Sequence, residues 1–100
     1  MSKYIELIKK LQAGELVTYT EHGNSMRPKL QNGVTVTVQP CKLEDLAVGD
    51  ITLCKVNGMF YLHYVKKIGQ DGRVLIGNAH SRENGWTRAI YGKLQSYVNP

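Results

Sequence analysis

The stretch I-T-L-C-K-V-N-G-M-F-Y-L-H-Y-V-K-K, residues 51–67, decides the fold class. Two runs rich in β-branched and aromatic residues are joined by Asn57-Gly58, a dipeptide that tolerates the positive φ angles of a two-residue hairpin turn. Alternation along the second run puts Met59, Tyr61, His63 and Val65 on one face, and Phe60, Leu62, Tyr64 and Lys66 on the other. A histidine therefore stands in a row of apolar residues on a paired strand.

The same signals repeat outward from this hairpin. Upstream, Val34, Val36 and Val38 alternate with Thr35 and Thr37 between an Asn32-Gly33 turn and Pro40, predicting a half-buried strand over 33–39. Leu16 to Thr20 predicts another. Downstream, Val48-Gly49-Asp50 and Asp71-Gly72 mark turns, R-V-L-I-G reads as a strand, and A-I-Y-G-K-L-Q-S-Y-V predicts a last strand with Gly92 as a bulge. Tyr4, Ile8 and Leu11 recur at i, i+4, i+7, the stripe of a short amphipathic helix over about 3–13 that Gly14 ends. So short a helix is unstable alone, and its apolar face must dock on the rest of the chain. The expected architecture is mainly β: a small bent, antiparallel-rich sheet or partly closed barrel over about 15–98, with one N-terminal helix. No linker, repeat or low-complexity stretch interrupts it, which predicts a single domain over 1–100.

Composition narrows the function classes. With 100 residues, 42% of them hydrophobic, the chain supports one small core. Cys41 and Cys54 are too few for a disulfide scaffold and lack C-x-x-C spacing, so they read as buried thiols. No window approaches the roughly 20 apolar residues of a membrane helix, and M-S-K-Y-I-E-L-I-K-K interrupts any signal-peptide core with charge. No membrane insertion and a cytoplasmic location are the expectations. The net charge of +5 is compatible with a polyanionic partner. However, Lys9-Lys10 and Lys66-Lys67 are the only adjacent basic pairs, so the pattern is that of a solvated surface and a nucleic-acid partner is not expected.

Three stretches carry the residues of chemical interest. H-G-N-S-M-R-P-K-L-Q-N-G, residues 22–33, sets Ser25 between a flexible Gly23 and a rigid Pro28 ahead of a strand, which exposes a hydroxyl. Backbone amides around Asn24, Ser25 and Met26 can form an oxyanion hole, though G-N-S is also ordinary turn chemistry. The second stretch is the strand of His63, where burial keeps an imidazole neutral and able to accept a proton; a hydrogen-bonded core histidine has the same pattern. The third, I-G-N-A-H-S-R-E-N-G-W-T, residues 76–87, is a polar loop before Trp86 holding Asn78, His80, Glu83 and Asn84. It can orient His63, or be a solvated loop that Trp86 anchors. His22, His63 and His80 lack the local spacing of metal ligands, so no metal is expected.

Taken in order, these stretches resemble the successive motifs of the signal peptidase and LexA-like serine peptidase superfamily. Its serine box, G-x-S-M-x-P, is matched by Gly23-Asn24-Ser25-Met26-Arg27-Pro28, followed by Leu30 and Gly33, with Val34 where the family has aspartate. Gly49-Asp50-Ile51 matches the Gly-Asp-Ile/Val strand that comes next. Tyr61-Leu62-His63-Tyr64-Val65 resembles the base strand in its histidine version, that of the archaeal and endoplasmic-reticulum signal peptidases. Gly77-Asn78-Ala79 stands where that version has Gly-Asp-Asn, so Asn78 replaces the aspartate and Glu83 offers the loop's carboxylate.

The resemblance spans roughly residues 22–94. It implies a Ser25 nucleophile, a His63 base supported by Glu83 or Asn78, an oxyanion-hole loop at Asn24, Ser25 and Met26, a peptide or protein substrate and no cofactor. Ala13-Gly14 resembles the bond that LexA-like proteins cleave in themselves, but a helix stop is the simpler reading of that glycine. Three functions follow for comparison: a serine peptidase, a peptide- or protein-binding module on the same fold without turnover, and a nucleic-acid-binding barrel stacking bases on Tyr61, Tyr64, Tyr91 and Trp86.

Overall fold

The computed structural model describes residues 3–100. The elements run α1 (Lys3–Gln12), β1 (Val17–Glu21), β2 (Val34–Pro40), a 3₁₀ turn at Leu43–Asp45, β3 (Ile51–Val56), β4 (Met59–Ile68), β5 (Val74–Gly77), β6 (Glu83–Thr87) and β7 (Ile90–Val98). Among the described residues the seven strands form one antiparallel sheet in the order β1-β2-β7-β3-β4-β5-β6. The sheet is mainly β and bent, as expected, and it is open: β1 and β6 are edges. Its β6 end nonetheless curls back on β3, where Thr87 Oγ1 donates to the Lys55 carbonyl at 2.7 Å and the Lys55 amide donates to the Ala89 carbonyl at 3.0 Å.

The decisive hairpin forms as its turn dictates. Asn57 and Gly58 take φ of 49° and 83°, and the register runs from Val56 opposite Met59 to Ile51 opposite Tyr64. Alternation sends neighbouring residues to two apolar clusters. Leu53 and Leu62 join Val34, Val36, Val38 and the helix residues Ile8 and Leu11, whereas Cys54, Val56 and Val65 join Leu46, Val74 and Ile76. Removing Ile8 and Leu11 from water contributes about 2 kcal/mol each, which fixes α1 on the sheet. The helix stops in a Schellman motif: the Gly14 amide donates to Leu11 O, the Glu15 amide to Lys10 O, and Gly14 adopts φ of 88°.

The strand latest in the chain lies in the interior of the sheet. β7 pairs with β2 on one side and with β3 on the other, so it joins the part carrying α1, β1 and β2 to the part carrying β3 to β6. Gly92 sits opposite both Pro40 and Leu53. A Cβ there would come within 2.6 Å of the Gln39 carbonyl oxygen and 2.7 Å of Val38 Cγ1. The bulge expected at Gly92 falls on Tyr91, because the partner of Leu53 is Gly92 while that of Cys54 is Ile90. Gly92 allows close approach of the strands; Tyr91 is the inserted residue.

The polar stretch 76–87 is also more ordered than a loop. Residues 78–82 turn, and Glu83–Thr87 return as edge strand β6 paired to β5. The run E-N-G-W-T has no apolar alternation because an edge strand with little burial needs none.

Candidate functional site

The serine loop is built by local hydrogen bonds and by a clamp from far along the chain. The Gly23 amide, at φ of 117°, donates to Asn32 Oδ1 at 2.9 Å, closing the loop at its base. Met26 and Leu30 are buried in the core, so they pin the loop while Asn24 stays exposed and Ser25 half-buried. Asn99, beyond β7, holds the other limb: the Gln31 amide donates to Asn99 Oδ1 at 2.9 Å and Asn99 Nδ2 donates to the Lys29 carbonyl at 3.0 Å. Nothing in the local sequence around Ser25 signals that clamp, since Asn99 is 68 to 70 positions from its partners.

Ser25 Oγ lies 3.0 Å from His63 Nε2. His63 is buried, at 7% exposure, on β4 opposite Thr52 of β3, and its ring packs on Tyr61 with centroids 4.8 Å apart. Its Nδ1 lies 2.8 Å from Asn84 Oδ1. A carbonyl oxygen facing Nδ1 requires a hydrogen there, so Nδ1–H donates to Asn84 and the Nε2 lone pair is left to accept the Ser25 hydroxyl proton. Burial holds the imidazole below its ordinary pKa, outweighing the opposite pull of the Asn84 hydrogen bond and the Glu21 charge, while Lys66 lowers it further. The ring is therefore neutral at neutral pH.

The group on the far nitrogen differs from the two residues expected from sequence. Neither Glu83 nor Asn78 hydrogen-bonds to the imidazole. Asn84 does so because it occupies a bulge: Ile76 pairs with Gly85 and Gly77 with Glu83, which leaves Asn84 as the inserted residue on β6. A bulge re-aims a side chain that regular alternation would direct elsewhere. Gly85 beside it takes φ of 138°.

Asn78, at the place of the aspartate in the resembling motif, organises the hairpin turn. Its Oδ1 accepts the His80 amide at 2.8 Å and the Arg82 amide at 3.0 Å, and its own amide donates to the Arg82 carbonyl at 2.9 Å. The turn so formed presents the Ala79 amide to the Ser25 carbonyl at 3.0 Å. Asn78 thus supports the serine through the backbone, while Glu83 is exposed.

Ser25, His63 and Asn84 line one cleft of about 390 Å³. Gly14 instead borders a separate depression, with Cys41 and Ala89, so the Ala13-Gly14 bond lies outside the serine's cleft in this fold. Cys54 is buried and its thiol is pushed up to about 12 by burial; Cys41 is half-buried and pushed up to about 11 by the same cause. Among the described residues no group of three or more His, Cys, Asp and Glu side chains is placed to hold a metal ion, and no helix is long and apolar enough to cross a membrane. Of the aromatic residues weighed for base stacking, Tyr64 and Tyr91 pack against the cluster of Leu53 and Leu62, Tyr61 packs against that of Cys54 and Val65, and Trp86 is exposed on edge strand β6.

The sequence model of the family described as Peptidase S24-like matches residues 2–87, spanning α1 to β6 and both sides of the Ser25–His63 contact. No curated protein matches the chain.

Proposed function

The chain belongs to the Peptidase S24-like family, and from that premise we propose that it is a serine peptidase cleaving a peptide bond of a protein substrate through Ser25 and His63. The observation that carries this reading is the 3.0 Å contact from Ser25 Oγ to His63 Nε2 with the far nitrogen held by Asn84. In the proposed cycle the Ser25 hydroxyl gives its proton to Nε2 as the oxygen attacks the substrate carbonyl. His63, now imidazolium, hands that proton to the departing amine, and a water then releases the acyl group by the reverse path. The amides of Asn24, Ser25 and Met26 donate to no backbone acceptor among the described residues, which supports this loop as the oxyanion hole.

One feature favours the second reading, a peptide-binding module on the same fold. Asn84 is neutral, so it orients the imidazole but supplies no charge to balance imidazolium, a stabilisation that the aspartate of a Ser-His-Asp triad provides. The deciding experiment is digestion of a denatured protein mixture with wild type, Ser25→Ala and His63→Ala, read by mass spectrometry of new termini. Cleavage by wild type that both variants lose by about 10³-fold or more supports the peptidase. Peptides retained by all three without new termini make it a binding module.

A further inference from the structure

Glu21 ends β1 on the wall of the cleft that contains Ser25 and His63. Its carboxylate is half-buried. Tyr4 Oη donates to Oε1 at 2.7 Å, whereas Oε2 is enclosed and has no hydrogen-bond partner. The Tyr19 phenol faces the same carboxylate without closing a hydrogen bond of good geometry.

Among the described residues no cationic side chain forms an ion pair with Glu21. Lys3, on the same corner, directs its ammonium to the Thr20 carbonyl at 2.8 Å and over the rings of Tyr4 and Tyr19, at 5.4 and 5.3 Å from their centroids. Arg82, the other charged side chain on the cleft wall, belongs to the turn between β5 and β6. A carboxylate withdrawn from water without a counter-charge is unfavourable, and low-dielectric walls direct its field into the cleft. Glu21 is the acidic side chain among the residues lining the cleft, in a chain that carries +5 overall. Beside it, the Tyr4 and Phe60 rings stack at 5.3 Å and 25°, and both line the cleft, offering an apolar wall for an alkyl stem.

We infer that the Glu21 corner is a subsite for a lysine or arginine side chain of the bound peptide, close in sequence to the bond presented to Ser25. The stem lies along Tyr4 and Phe60 and the charged head approaches Oε1, which accepts it beside the Tyr4 hydroxyl, since Oε2 is enclosed. This selectivity rests on the reading of the cleft as a peptide site.

The test measures binding to the Ser25→Ala protein, so it does not depend on turnover. A set of alanine-based peptides carries a single lysine walked through successive positions, each matched by a peptide with norleucine at the same place, and affinities are read by fluorescence anisotropy. At one position lysine is expected to bind about tenfold tighter than norleucine, the scale of a charge-assisted contact. That preference is expected to fall within about twofold when Glu21→Gln is added, to persist in part with Glu21→Asp, and to shrink with salt. Equal binding of lysine and norleucine at every position overturns the subsite and leaves the peptide cleft standing. A lysine preference unchanged by Glu21→Gln assigns selectivity to another group and also overturns it. Absence of binding by every peptide removes the peptide reading of the cleft, and the subsite with it.

Discussion

Asn84 Oδ1 lies 2.8 Å from His63 Nδ1 although their strands are not neighbours: β5 runs between β4 and β6. The contact fixes both the orientation and the tautomer of a buried imidazole, so properties of His63 are expected to follow changes at Asn84.

Asn84→Asp places a carboxylate on Nδ1–H and is expected to raise the His63 titration midpoint by about one to three pH units. If the peptidase reading holds, the same variant increases turnover. Asn84→Ala is expected to reduce turnover by about tenfold or more through loss of the fixed tautomer. Imidazole resonances followed by NMR across pH check the first effect independently of activity.

In the wild type the His63 midpoint is expected below 6.5, because burial disfavours the charged ring. The unfolded chain then binds a proton at higher pH than the folded one does. Stability from this group is complete above about 6.5 and declines as pH falls from there through the lower folded midpoint. If the peptidase reading holds, cleavage, which needs the neutral ring, is expected to fall around the lower folded midpoint. Urea midpoints measured from pH 7.5 to 5 test the sign; a midpoint that rises on acidification contradicts it.

Asn99→Ala removes two hydrogen bonds from the serine loop, those to the Gln31 amide and the Lys29 carbonyl. Both are solvent-exposed, so global stability is expected to drop by only about 1 kcal/mol. Faster amide exchange confined to residues 22–33, with the sheet unaffected, is the outcome that identifies Asn99 as a local clamp.

Gly92→Ala drives a methyl group into the Gln39 carbonyl and Val38, with 2.6 and 2.7 Å separations that only backbone movement relieves. A loss of about 2 to 4 kcal/mol is expected, measured by urea denaturation. A neutral result means that β7 does not lie where the structure has it.

How legible this site was in the sequence varies residue by residue, for physical reasons. Alternation and the Asn-Gly turn located the β3–β4 hairpin and the row holding His63, because successive side chains of a strand point to opposite faces of the sheet. Ser25 stood out by its box, and the structure brings it to His63 across 38 positions. Asn84 was hidden among the polar residues of its stretch, because a bulge abandons the periodicity from which side-chain direction is read. Glu83 and Asn78 drew attention through charge and motif position, yet Glu83 is exposed and Asn78 serves a turn. Asn99 left no local signal, since its partners are joined to it only by the folded sheet.

The interior place of β7 has a consequence for the order of events on the ribosome. Ser25 and His63 belong to the two parts of the sheet that β7 joins, and β7 is translated after both. A nascent chain can therefore carry the serine, the histidine and Asn84 without the strand that draws their carriers together. The complete cleft is therefore expected only once residues 90–98 are free to enter the sheet, a delay between synthesis and competence.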